Sequence, residues 1–146
     1  MDKGTRIYAG ILASAALTLV VLAFYQPPQV RALNRLLADD AELAAYPYPF
    51  RVLRVEEHTA VMSTPRSVTV PVERMIGAID PAVKDLPVTD PAYLRAQQRL
   101  ADLQARARAL VLADPGIADV RWQLDENWLG RHAIQPFATG TSAGTQ

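Results

Sequence analysis

Glu56, Glu57 and His58 stand side by side in a chain whose only other histidine is His132. On a strand, alternation would set Glu56 and His58 on one face as two metal ligands, but a zinc-type site needs at least one more. His132 is the sole candidate of that type, and only the tertiary fold could bring it near. A charged triplet between two apolar runs is also ordinary turn composition, and a solvated turn is the expected role. Asp39, Asp40 and Glu42 form a second acidic group. On a helix, positions 39 and 40 diverge by about 100°, and no calcium-loop glycine follows, so a solvated helix face is expected there.

Catalytic patterns are missing. Acid–base chemistry needs two carboxylates with separated pKa values, and no acid is marked as buried by its neighbours. Ser63 or Ser67 with His58 lacks the strained turn that exposes a nucleophile. Neither a phosphate-binding glycine loop nor an H-E-x-x-H helix occurs, and no Gly-Ser loop precedes paired carboxylates that could hold magnesium and a triphosphate. The chain has no cysteine, which excludes disulfides, thiolate zinc sites and cysteine nucleophiles. No catalytic residue, metal or cofactor is therefore assigned.

Binding residues are easier to find. Arg95, Arg99, Arg106 and Arg108 share one amphipathic stretch in which Asp102 is the only acid, a pattern that suits phosphates or anionic lipid as well as plain solvation. Trp122 and Trp128 bracket "QLDEN"; Trp122 alternates with Val120 and Leu124 and belongs to a core, whereas Trp128 is free to serve a surface. The candidate interaction surface is thus Trp128, Arg95, Arg99 and Arg106. "YPYPF", residues 46–50, resembles a polyproline-type ligand in composition, but its place between a helix and a strand makes it a connector.

The elements that must position these residues follow from periodicity. "QVRALNRLLADDAELAAY" predicts one helix over 28–45, with Pro28 in its first turn and the Pro47–Pro49 pair forcing its end. Two β-rich runs, 50–55 and 59–63, make a hairpin around Glu56-Glu57-His58. "SVTVPV" alternates Val68, Val70 and Val72 and predicts an edge strand or strand end, Pro71 excluding a central one. A short helix over 72–79 closes at Asp80-Pro81. Next comes the longest helix, with Asp90 as N-cap and Pro91 first, its apolar stripe running through Tyr93, Ala96, Leu100, Leu103, Ala107 and Leu110. Gly116 marks its stop, and "IADVRWQLD" predicts a strand with Arg121, Gln123 and Asp125 on the side away from Trp122. This helix–turn–strand run of about 35 residues resembles the second half of small ferredoxin-like modules, which implies an α+β layer and no chemistry.

Residues 7–25 carry no formal charge, and nineteen helical residues span about 28 Å, the thickness of a bilayer's hydrocarbon layer. Tyr8, Phe24 and Tyr25 fall where aromatic rings settle at membrane interfaces. A cleaved signal is the competitor: Lys3 and Arg6 precede the run, and Val21-Leu22-Ala23 resembles a cleavage pattern. The run is longer than a signal core, and bulky Phe24-Tyr25 would follow the cut, so a retained anchor is expected. A helix buried in a soluble core would need more partner surface than the remaining hundred residues offer.

The expected organisation is α+β: a cytoplasmic stub (1–6), a transmembrane helix (7–25), a juxtamembrane helix (28–45), a small domain (46–135) and a disordered tail (136–146). Within the domain, a short antiparallel sheet is covered by the long helix. Charge is balanced, 15 basic against 15 acidic residues, so no global field favours nucleic acid. Lys3 and Arg6 before the span against Arg31 and Arg35 after it leave the orientation nearly tied; a short basic stub and a neutral domain favour the domain outside, in a bacterium the periplasm. This layout resembles the small proteobacterial proteins that pair one amino-terminal anchor with one compact extracytoplasmic domain. It implies a membrane-anchored accessory or interaction module, partnered by the bilayer and by another membrane or envelope protein. The alternative is a small enzyme or ligand-binding domain whose site gathers His58, His132 and acidic side chains.

Overall fold

The computed structural model describes residues 2–137. Helix α1, Lys3–Phe24, is long and apolar enough to cross a membrane, and none of its residues is buried by the rest of the chain. The expected tail lies outside the described residues from 138 onward, while Phe137 is tied in by its N–H, which donates to the Thr69 carbonyl at 2.6 Å.

Beyond Pro27 the chain builds two layers. Strands β1 (Val52–Glu56) and β2 (Thr59–Thr64) pair antiparallel, and β3 (Asp119–Leu124) lies parallel to β2 on its other side. The sheet is therefore mixed rather than antiparallel. The cause is the connection: the chain between β2 and β3 passes through two helices, the second packed on β3, and returns to the end where β2 began, which makes the strands parallel. Those helices are α4 (Val72–Ile79) and α5 (Pro91–Leu112), with a single 3-10 turn at Pro81–Val83 between them.

The expected helix over 28–45 is two helices, α2 (Pro28–Asp39) and α3 (Ala41–Ala45), with Asp40 as the break. Asp40 leaves helical geometry to accept the Glu42 and Leu43 N–H groups, so its capping preference overrides the apolar period. Nor is α2 a spacer beside the domain. Val30, Leu33 and Leu37 lie in the main core, and α2 packs on β1 and α5. Its Asn34 amide both accepts from Val52 N–H (2.7 Å) and donates to Val52 C=O (3.0 Å), blunting the open edge of β1.

"SVTVPV" forms no strand. The Ser67 hydroxyl accepts the Thr69 N–H, the Val70 N–H bonds back to the Ser67 carbonyl, and Pro71 has no donor to offer a ladder. Val68 is left 99% exposed while Val70 is buried. In α5 the buried stripe is Tyr93, Leu100, Leu103, Ala107 and Val111; Ala96 and Leu110 sit half-buried at its margin.

"YPYPF" is a connector, bent over residues 46–48, that puts Tyr46, Tyr48 and Phe50 inside and Pro47 and Pro49 outside. The rings of Tyr46 and Phe50 stack, and Tyr48 meets Phe50 and Trp128 edge-to-face at 5.0 and 5.4 Å. This aromatic run is the hub joining α3, the sheet and α6 (Glu126–Arg131).

Candidate functional site

The two histidines occupy opposite ends of the sheet. His58 lies in the β1–β2 turn, its Nδ1 3.3 Å from the Gly116 carbonyl oxygen. His132 follows α6, beyond the far end of β3, with Nδ1 2.8 Å from the Trp128 carbonyl oxygen. The five residue steps of β2 alone put about 17 Å between those ends. Glu56 is engaged on the outer sheet face, its carboxylate bridging Arg54 and Arg121 at 2.7 Å each. The Arg54 and Arg121 guanidiniums hold its carboxyl below the usual glutamate range. The site imagined from His58, His132 and acidic side chains is not assembled, and no group of three possible metal ligands forms among the described residues.

Trp128 is 5% exposed, so it belongs to the core with Tyr48 against its ring and His132 tilted against it at 4.2 Å. The candidate surface loses its tryptophan. Arg106 is also engaged: its guanidinium grips Asp40 at 2.8–3.0 Å and approaches Glu42 at 3.5 Å, across from α5 to the α2–α3 break. Arg106 holds the Asp40 carboxyl below its ordinary value, helped by the Leu43 and Glu42 N–H groups. Asp40, expected on a solvated face, is instead a cap and an ion-pair partner. Arg108 lies 3.5 Å from Asp119.

Arg95 and Arg99 differ. They line a groove between α5, the α4–Pro81 corner and the aromatic connector. Its inner cleft, about 280 Å³, is floored by Ile76, Ile79, Ala96 and the Tyr46 ring, with Asp80 and Arg99 at the mouth. It opens into a wider trough of about 680 Å³ that adds Arg95, Glu42 and Asp102. Arg99 stands 6.0 Å over the Tyr46 ring, within cation–π range. Burial pushes the Tyr46 phenol up to about 12, so it stays a neutral donor at physiological pH. The Asp80 carboxylate accepts the Ala82 N–H at 3.1 Å and fixes the corner that forms one wall. An apolar floor with arginines and carboxylates at its rim suits an apolar side chain flanked by polar groups.

Asp125 is the polar group that strand alternation misplaced. Set on the solvent side with Arg121 and Gln123 by its parity, it is 8% exposed, because β3 ends at Leu124 and the chain turns inward to start α6. Its carboxylate accepts from the Trp128 N–H and the Tyr48 hydroxyl, each at 3.0 Å, and Arg51 lies 4.0 Å away. The D-x-x-W spacing of an N-cap was the available signal.

Compared with known proteins, the chain matches no family model, no curated protein and no solved structure.

Proposed function

We propose that the protein is a membrane-anchored interaction module, with α1 retained in the bacterial inner membrane and the domain on its periplasmic side, docking a neighbouring membrane or envelope protein. One observation carries this reading: a 22-residue helix of high apolarity contributes nothing to the core of its own chain. The next helix along, α2, is committed to the domain core and leaves α1 without a partner there. Hydrocarbon is the environment that accepts such a surface without cost, and a cleaved signal would discard it.

The Arg95–Arg99 groove is the docking site proposed for the partner. Its groups are suited to recognition rather than reaction: Tyr46 stays protonated and Asp80 caps a helical turn. Anchoring raises the local concentration of the groove beside membrane partners, so a modest intrinsic affinity suffices. The test is crosslinking of the full-length protein in native membranes, comparing wild type with Arg95→Glu/Arg99→Glu and with a form whose α1 is replaced by a cleavable signal. A discrete crosslinked species that both changes abolish supports the reading. A species indifferent to both refutes it.

A further inference from the structure

Arg31 and Arg35 project from α2 immediately beyond the span, both exposed, and neither makes an ion pair or side-chain hydrogen bond among the described residues. From Tyr25 to Ala38 the chain carries these two cations and no acid. Their reach is limited by the tether. Four residue steps separate Phe24 from Pro28, at most about 14 Å even when fully extended. Helical rise then puts the Arg31 Cα within about 18 Å and the Arg35 Cα within about 24 Å of the span's end. A headgroup layer about 7 Å deep and a Debye length of about 8 Å cover much of that interval, before the length of the side chains is counted.

We propose that the Arg31–Arg35 face of α2 docks on anionic lipid headgroups of the membrane that holds α1; this rests on the anchored reading above. The opposite face of α2 fixes the consequence. Val30, Leu33 and Leu37 are in the domain core and Asn34 is bonded to β1, so α2 cannot turn without the domain. Headgroup contact at α2 therefore orients the whole domain, where a free tether would let it tumble. Asp39, four residues past Arg35, is the one exposed acid on that helix; it shares the arginine face one turn farther from the tether, and its charge offsets part of the contact.

Each arginine near an anionic surface favours docking by about fivefold, and the pair by about thirtyfold. The chain lacks cysteine, so Ala32→Cys, an exposed position on α2, takes a single fluorophore. The labelled full-length protein is reconstituted into vesicles of phosphatidylcholine alone and of equimolar phosphatidylcholine and phosphatidylglycerol, each with a headgroup-attached quencher. The expected result is strong quenching in the anionic vesicles only, lost with Arg31→Gln/Arg35→Gln and lost in about 1 M salt, where the Debye length is about 3 Å. Equal quenching in both compositions, or quenching that survives the double substitution, overturns the headgroup contact. Flotation with the neutral vesicles reads the anchor alone: a chain that floats there but shows no lipid dependence has an anchor without docking, and one that does not float loses both.

Discussion

The Tyr48 hydroxyl donates to Asp125 Oδ2 at 3.0 Å, joining two residues 77 positions apart. Tyr48 is fully buried, and removal from water pushes its phenol well above the usual tyrosine range, so it is a permanent donor. Asp125 answers with one oxygen to Tyr48 and the other to the first turn of α6. The pair thereby fastens the connector ahead of β1 to the segment after β3. Tyr48→Phe leaves a buried carboxylate short of one partner and is expected to cost about 1.5–3 kcal/mol. Asp125→Ala, which also removes the helix cap, is expected to cost more, and Asp125→Asn less than either. Urea denaturation of the three variants checks the order.

Ala133 occupies left-handed backbone with φ of 53°. It follows α6 in a Schellman ending: its N–H bonds the Gly130 carbonyl, the Ile134 N–H bonds the Leu129 carbonyl, and both Ile134 and Leu129 are buried. Glycine adopts that φ without a Cβ clash. Ala133→Gly is expected to raise stability by about 1 kcal/mol, read as a rise in Tm, and Glu57→Gly in the β1–β2 turn, where φ is 56°, to act in the same direction.

The Asp40–Arg106 pair predicts an acid-sensitive contribution to stability. Arg106 lowers the Asp40 pKa below its ordinary 3.8, so the folded state holds the proton more weakly than the unfolded chain. That contribution is complete above the unfolded value and disappears as pH falls through the lowered folded value. Arg106→Gln should therefore be less stable than wild type by a constant amount above about pH 5, with the difference closing as the pH drops below the ordinary carboxylate range. Thermal melts across that range provide the measurement; a gap that widens on acidification contradicts the assignment.

Core and groove residues should separate cleanly. Trp128→Ala removes a buried indole and is expected to cost about 3–5 kcal/mol. Arg95→Ser, on the groove rim, should stay within about 0.5 kcal/mol of wild type. Both are read by chemical denaturation, and a large loss at Arg95 would assign it to the scaffold rather than to docking.

Local signals made most of the elements legible. Asp90 and Pro91 open α5 where the sequence places its start, and "FRVLRVEEHTAVMST" contains the hairpin. What escaped was set by contacts between distant segments. The Arg106 pairing that secures Asp40 at the α2–α3 break comes from 66 residues away, and the parallel pairing of β3 follows from a crossover that no short window reveals. Periodicity also misled, at Asp40, where the cap interrupts the apolar repeat, and at two further places. Val68, Val70 and Val72 alternate as a strand would, but the Ser67 turn and Pro71 deny that segment a ladder. Asp125 shares the parity of Arg121, yet it lies past the strand's end. Of the proposed surface, Arg95 and Arg99 were legible as cations on one helix; the groove beside them was not, because Tyr46 reaches it from the connector and Ile76, Ile79 and Asp80 from the α4–Pro81 corner, two other segments.

The most direct test of the account is alkaline carbonate extraction of membranes containing the full-length protein, followed by intact mass. The account predicts that the polypeptide stays in the membrane pellet with its leading 25 residues in place. An intact chain released to the supernatant, or a product beginning near Phe24, would contradict it.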